Sequence, residues 1–302
     1  ADGGGKAAAT LRDYYQSLTD DVETTLELES FLSSLRGVPL DADEEQELVD
    51  TMTALASRAA AADRLAAAYA SLGTLAGSDA PELAATAGRN LATALAGVTR
   101  LPQGVDPAPL VGSVAGDVAR AVESHELSHA NRALLSAITA AERLFSQEIG
   151  LYRGIVEERG DKVGAVEEAL LGAGLLDTSP LLQQLAGLTG LPLAAGARPD
   201  ATISAALSDY ALTRSERHTA LSAAAAESVE ASLLAQIEAQ TALEQRRAPS
   251  LGEVDAAVSR AATYLGEIAA LRREVEAAGA GTAAASPASP PAPATPAPGG
   301  TP

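Results

Sequence analysis

The chain has 302 residues, a formal net charge of −19, no cysteine, no tryptophan, two phenylalanines and six tyrosines. Without cysteine it has no disulfides, thiolate metal sites or cysteine nucleophiles. An acid excess with only two lysines, Lys6 and Lys162, argues against binding to nucleic-acid phosphates and against docking on anionic lipid.

A composition rich in Ala and Leu and poor in aromatic side chains suits helix-on-helix packing and suits sheets badly. Residues 1–6, with Gly3, Gly4 and Gly5, read as a flexible lead-in. A start at Ala1 rather than Met is expected of an exported chain after signal cleavage, or of a trimmed one. A first helix runs from about Ala7 to Leu35, with Leu11, Tyr15, Leu18 and Val22 on one stripe, and stops at Gly37 before Pro39. In Tyr14-Tyr15 one ring belongs in the core and the other at its edge.

Asp41 caps a second helix, with Glu44 at the capping-box position, that runs to about Leu75. The first eighty residues hold fifteen acids against five bases, densest at Asp41, Asp43, Glu44, Glu45, Glu47 and Asp50. That patch is not an EF-hand loop, because Gln46 and Met52 stand where Gly and the bidentate Glu are required. It reads as a solvated helix start whose acids suit the helix dipole.

Pro81 opens a shorter helix ending near Thr99, followed by a Pro- and Gly-bearing connection, Pro102–Pro109. The next element is expected from Leu110 to Glu158, interrupted at Gly160, with a further turn or two over Val163–Leu175. Ser179-Pro180 starts a short helix to about Leu185, and a Gly/Pro-rich loop spans Gly187–Pro199. Asp200 caps a helix reaching Arg247. Ser250-Leu251-Gly252-Glu253 is a capping box, and behind it Val254, Val258, Ala261, Leu265, Ile268 and Val275 form a coiled-coil seam. From Gly281 the chain holds seven prolines and no charge, so residues 280–302 read as a disordered tail of polyproline II character. The fold expected is all-α: an elongated antiparallel bundle of about six long helices over residues 7–279, with a seam near 101–109.

Two of the three histidines fall in His125-Glu126-Leu127-Ser128-His129. In HExxH two imidazoles one helical turn apart can hold a metal beside a carboxylate base. The run resembles the HExxH of the zincin metalloproteases, which implies a zinc hydrolase with Glu126 as general base. Glu123 and Asn131 depart from the uncharged flanks of that pattern, no third-ligand continuation follows, and no strand is expected to hold a peptide. A metal grip by His125, His129 and Glu126 for zinc, copper or nickel is the alternative. A di-iron carboxylate site would need a second ExxH pair, which is absent.

At 100° per residue, Val111, Val114, Val118, Val122, His125 and His129 share one face, whereas Leu127, Leu134, Ile138, Phe145 and Ile149 take the opposite one. The apolar stripe therefore switches face within this run, which predicts a kink or a layer boundary. His218 can join the buried stripe of its helix and could complete a three-His site if that helix packed beside His129. No Gly-x-Ser-x-Gly elbow occurs.

The reading that combines these features is a non-catalytic structural or interaction protein of the bacterial cell envelope. It would be exported, not transmembrane, and anchored if at all upstream of Ala1. Its partner would be a protein or a second copy met through helices, with no cofactor and no nucleic acid. The alternatives are a metal-binding envelope protein, the zinc metallohydrolase, and a coat spread on lipid or polymer granules.

Overall fold

The computed structural model describes residues 2–75, 81–124, 127–173, 175, 182, 186 and 201–283, a few of them by backbone alone. Among them every regular element is a helix, and there is no strand. Seven helices follow one another among the described residues: α1 (Asp2–Arg36), α2 (Ala42–Leu75), α3 (Pro81–Ala96), α4 (Ala108–Ser124), α5 (Leu127–Gly172), α6 (Ala201–Glu244) and α7 (Leu251–Ala283). The all-α bundle expected from composition and periodicity is what forms. The expected short helix after Ser179, the loop Gly187–Pro199 and the tail from residue 284 lie outside the described residues, apart from Leu182 and Ala186.

Cross-helix ties give each direction. Arg12 on α1 meets Asp63 on α2, and Arg58 on α2 meets Glu148 on α5. Lys6 and Asp20 on α1 meet Asp255 and Arg272 on α7, while Arg217 on α6 meets Glu267 on α7. With Gly4 beside Tyr69, Tyr15 beside Tyr152, Glu29 on Lys162, Asn131 on Gln240 and Gly160 beside Ser215, α1 is antiparallel to α2 and α5 to α6, while α1, α5 and α7 run in one direction. α1 is the axis: it touches α2, α5, α6 and α7. Its buried residues therefore lie around much of its circumference rather than on one stripe, and Tyr14 and Tyr15 are both buried. The edge position expected for one ring does not exist, because a neighbour covers each side.

The half-length α3 and α4 are inserted between α2 and α5. Thr99, just past α3, receives a hydrogen bond from Arg58. Pro107, Leu110 and Val111 share a small cavity with Ala137, Ala140, Ala141 and Leu144 of α5. The connection where sequence suggested a seam is tied to the bundle on both sides.

Two glycine-bearing boundaries differ from expectation. α1 starts at Asp2, so the three glycines are helical rather than flexible. Gly4 is buried, and a Cβ there would stand 2.4 Å from Cε1 of Tyr69; absence of a side chain is what lets the ring lie against the helix. Gly160 does not interrupt α5, which continues to Gly172. Its Cβ would come within 2.8 Å of Ser215 Oγ, so Gly160 is a point of close approach between α5 and α6.

Candidate functional site

The single helix expected from Leu110 to Glu158 is two. α4 ends at Ser124 and α5 begins at Leu127. The two run antiparallel, since Val105, just before α4, donates to Glu148 of α5, and Asp117 faces Ser136 and Arg132. The face switch read from the sequence marks this chain reversal: Val114 and Val118 are buried on α4, Leu134, Ile138 and Phe145 on α5. His125 and Glu126 lie outside the described residues. His129 is half-buried in the first turn of α5. Among the described residues no three His, Asp or Glu side chains converge to hold a metal ion.

His218 is not near His129. Its Nε2 lies 3.4 Å from Asp21 Oδ1, beside Arg159. Arg159 is thirty residues along α5 from His129, about 45 Å at 1.5 Å per residue. The three-His arrangement does not form.

The structure instead gathers charge inside the bundle at two levels. At the lower, the Arg58 Nε and Nη2 donate to Glu148 Oε2 and Oε1 at 3.2 and 2.9 Å. Tyr152 OH donates to Oε2 at 2.8 Å and the Val105 amide to Oε1 at 3.2 Å. Four donors fill the lone pairs of one carboxylate, leaving none for base chemistry. Arg58 Nη1 donates to the Thr99 and Ala54 carbonyls. Tyr15 OH lies 3.4 Å from Tyr152 OH, and burial pushes the Tyr15 hydroxyl up to about 12. Tyr14, Tyr15, Phe145 and Tyr152 pack mostly edge to face with centroids 5.3–6.1 Å apart, the favoured aromatic geometry.

At the upper level Asp21 is the hub. Its Oδ1 meets Arg272 Nη2 at 2.9 Å and Arg159 Nε at 3.1 Å, while its Oδ2 accepts no hydrogen bond. Arg272 also donates to the Ser17 carbonyl at 2.6 Å and pairs with Asp20 at 2.5 Å. Glu29, a further two turns along, pairs with Lys162 at 2.5 Å. Burial pushes the Asp21 carboxyl up against the pull of Arg272 and Arg159. His218 is 4% exposed and neither ring nitrogen has an aligned hydrogen-bond partner. Burial, aided by the two guanidiniums, lowers it to about 3, so its ring is neutral.

These residues were missed in sequence, though each carries a signal. Arg58 falls between Leu55 and Ala62, Glu148 between Phe145 and Tyr152, and Asp21 between Leu18 and Thr25. Each is a lone charge inside a buried 3–4 stripe. Such a charge must find a partner, because an unpaired one is too costly to bury.

The acids of α2 lie elsewhere. Asp41, Asp43, Glu44, Glu45, Glu47 and Asp50 are all exposed, with Asp41 Oδ1 capping the Asp43 amide at 2.9 Å. A cleft of about 360 Å³ opens beside them between α1, α2 and α5, with Glu44, Glu47 and Glu158 in its wall. Burial pushes the Glu158 carboxyl up, with Lys162 opposing and Glu44 and Glu47 adding to the rise.

The fold and the ionic ties define a helical bundle clamped by internal ion pairs. No family model, curated protein or solved structure matches this chain.

Proposed function

We propose that the protein is a non-catalytic interaction protein of the bacterial cell envelope that presents a rigid, acidic helical surface to a partner. The observation supporting this reading is the placement of charge. Buried charges at Arg58, Glu148, Asp21, Arg159 and Glu29 are spent on ties between helices, whereas the acids of residues 41–50 face solvent without an ion pair to any described residue. The net charge of −19 is thereby displayed outward, where it steers encounter with a cationic surface and excludes anionic ones. Among the described residues no helix is long and apolar enough to cross a membrane, which accords with attachment through a partner.

Fractionation of the native cells tests the reading. The protein is expected with the envelope and is released by a wash at about 0.5 M salt, which screens surface charge. Recovery wholly in the cytosol at low salt would overturn it. The metal-binding alternative is separated by metal analysis of native protein. Stoichiometric zinc, copper or nickel that is lost in His125→Ala/His129→Ala would favour the metal grip. Hydrolysis abolished by Glu126→Ala with metal retained would favour the enzyme.

A further inference from the structure

The groove between α2 and α5 is not filled alike along its length. Around Arg58 and Glu148 it is closed by the connection after α3, through Thr99 and Val105. Beside this closure, with Leu101 in its wall, a cleft of about 360 Å³ opens over α1, a volume at the lower end of small-molecule pockets. Gly150 and Gly154, one turn apart on α5, line it, and nothing stands within 4 Å of where a Cβ would be at either. Gly4 and Gly160 are explained by the side chains against them. These two are not, and in a helix interior glycine is less favourable than alanine. Gly112 and Gly116 on α4 are as open, so the cleft rather than the glycines marks the place.

Val22 of α1, Leu48 of α2, and Leu151 and Ile155 of α5 give the cleft apolar walls. Its charged groups are of one sign: Glu44 and Glu47 from α2 and Glu158 from α5. None of the three has an ion pair with a described residue. Glu47 Oε1 accepts from Gln103 Nε2 at 3.4 Å, and Lys162, one turn past Glu158, is taken by Glu29 at 2.5 Å. Partial burial pushes the Glu158 carboxyl up, Lys162 opposes, and Glu44 and Glu47 add to the rise. Like charges held together in this way favour a ligand that brings a cation. A metal ion would need side chains converging on one point, which no three His, Asp or Glu do among the described residues. Acids beside an apolar trough instead suit an ammonium group carried on an apolar body.

We infer that the cleft between α1, α2 and α5 is a binding site for a small organic cation, an amine with an apolar body. The ammonium group meets Glu44, Glu47 and Glu158, while the body lies over Gly150 and Gly154 against Leu151 and Ile155. This goes beyond the reading of the outer surface, since a small-molecule site is independent of where in the cell the protein resides.

The probe is 2-phenylethylamine, a cation at neutral pH as lysine is, set against 2-phenylethanol, its neutral counterpart of nearly equal size. Isothermal titration of the full chain at about 0.05 M salt is expected to give a Kd on the order of 100 µM for the amine. Binding of the alcohol should be at least about tenfold weaker. Glu44→Gln/Glu47→Gln/Glu158→Gln is expected to weaken the amine about tenfold. Gly154→Leu keeps every charge but fills the trough, and should weaken it by about as much. All four positions are exposed, so helicity by circular dichroism should match the parent. Equal binding of amine and alcohol would overturn recognition of a cation. Amine binding untouched by Gly154→Leu would overturn the cleft as its seat in favour of attraction by surface charge. No saturation by about 10 mM amine would end the site altogether. Calcium held more tightly than the amine, and released by the Gln variant, would overturn the organic cation in favour of a metal ion.

Discussion

Two side chains ninety residues apart, Arg58 and Glu148, join α2 to α5 inside the bundle. Both are essentially without solvent exposure, so each depends on the other to remain charged. Arg58→Met should lower the unfolding free energy by about 3–5 kcal/mol, because Glu148 is left buried without its partner. The double replacement Arg58→Met/Glu148→Leu should regain most of that loss. Urea denaturation checks both, and a single variant within about 1 kcal/mol of the parent would contradict the account.

His218 offers a second residue-scale prediction, in pH. Its folded value of about 3 lies below the ordinary histidine value of 6.5, so the unfolded chain binds the proton more readily. The stability associated with a neutral His218 is therefore fully present above about pH 6.5 and is lost as pH falls toward 3, by up to roughly 5 kcal/mol at 1.36 kcal/mol per pH unit. His218→Leu should flatten the fall in melting temperature between pH 7 and pH 5 relative to the parent. Parallel profiles would rule the mechanism out. His218 is read from the sequence as a member of a buried stripe, whereas Arg58, a lone charge between Leu55 and Ala62, is not. Their partners are not legible there, since Glu148 is ninety positions from Arg58 and Asp21 almost two hundred from His218.

Helix ends are where single elements were most and least legible. The stop of α1 was read from Gly37, which takes φ +67 with the Gly37 and Val38 amides donating to Ser34 and Ser33 carbonyls. That is a Schellman end, in which glycine avoids the left-handed penalty. α6 ends in the same geometry at Arg246, φ 55, with the Arg247 amide on the Ala242 carbonyl, and an L side chain is strained there. Arg246→Gly should raise stability by about 0.5–1 kcal/mol and Gly37→Ala lower it by about 1 kcal/mol. Thermal melts that move in the same direction for both would refute this. Gly4→Ala should cost about 1–3 kcal/mol by overpacking against Tyr69, although alanine favours helix. Propensity alone predicts a flexible glycine run at the start; burial of Gly4 against the Tyr69 ring reverses it.

At the scale of the molecule, α1 threads the other long helices, and the α3–α4 pair is bolted on through Thr99 and Val105. This wiring predicts one cooperative transition. Unfolding followed by far-ultraviolet circular dichroism, which reports every helix, and by the near-ultraviolet signal of Tyr14, Tyr15 and Tyr152 should coincide in midpoint. Two separated transitions would mean that α3 and α4 form a separate unit at the 101–109 connection.

From sequence alone came the helical class, most helix boundaries to within a few residues, the capping at Asp41 and Gly37, and the change of apolar face at residues 125–129. These are local properties, written in 3.6-residue periodicity and in the few residue types that start and stop a helix. The tertiary structure decided that the face change is a reversal of chain direction, that both tyrosines of the Tyr14-Tyr15 pair are core, and that lone charges pair across distant helices. Each of these depends on which helix lies beside which, and helical periodicity tells a residue's angle on its own helix but not the neighbour it will face.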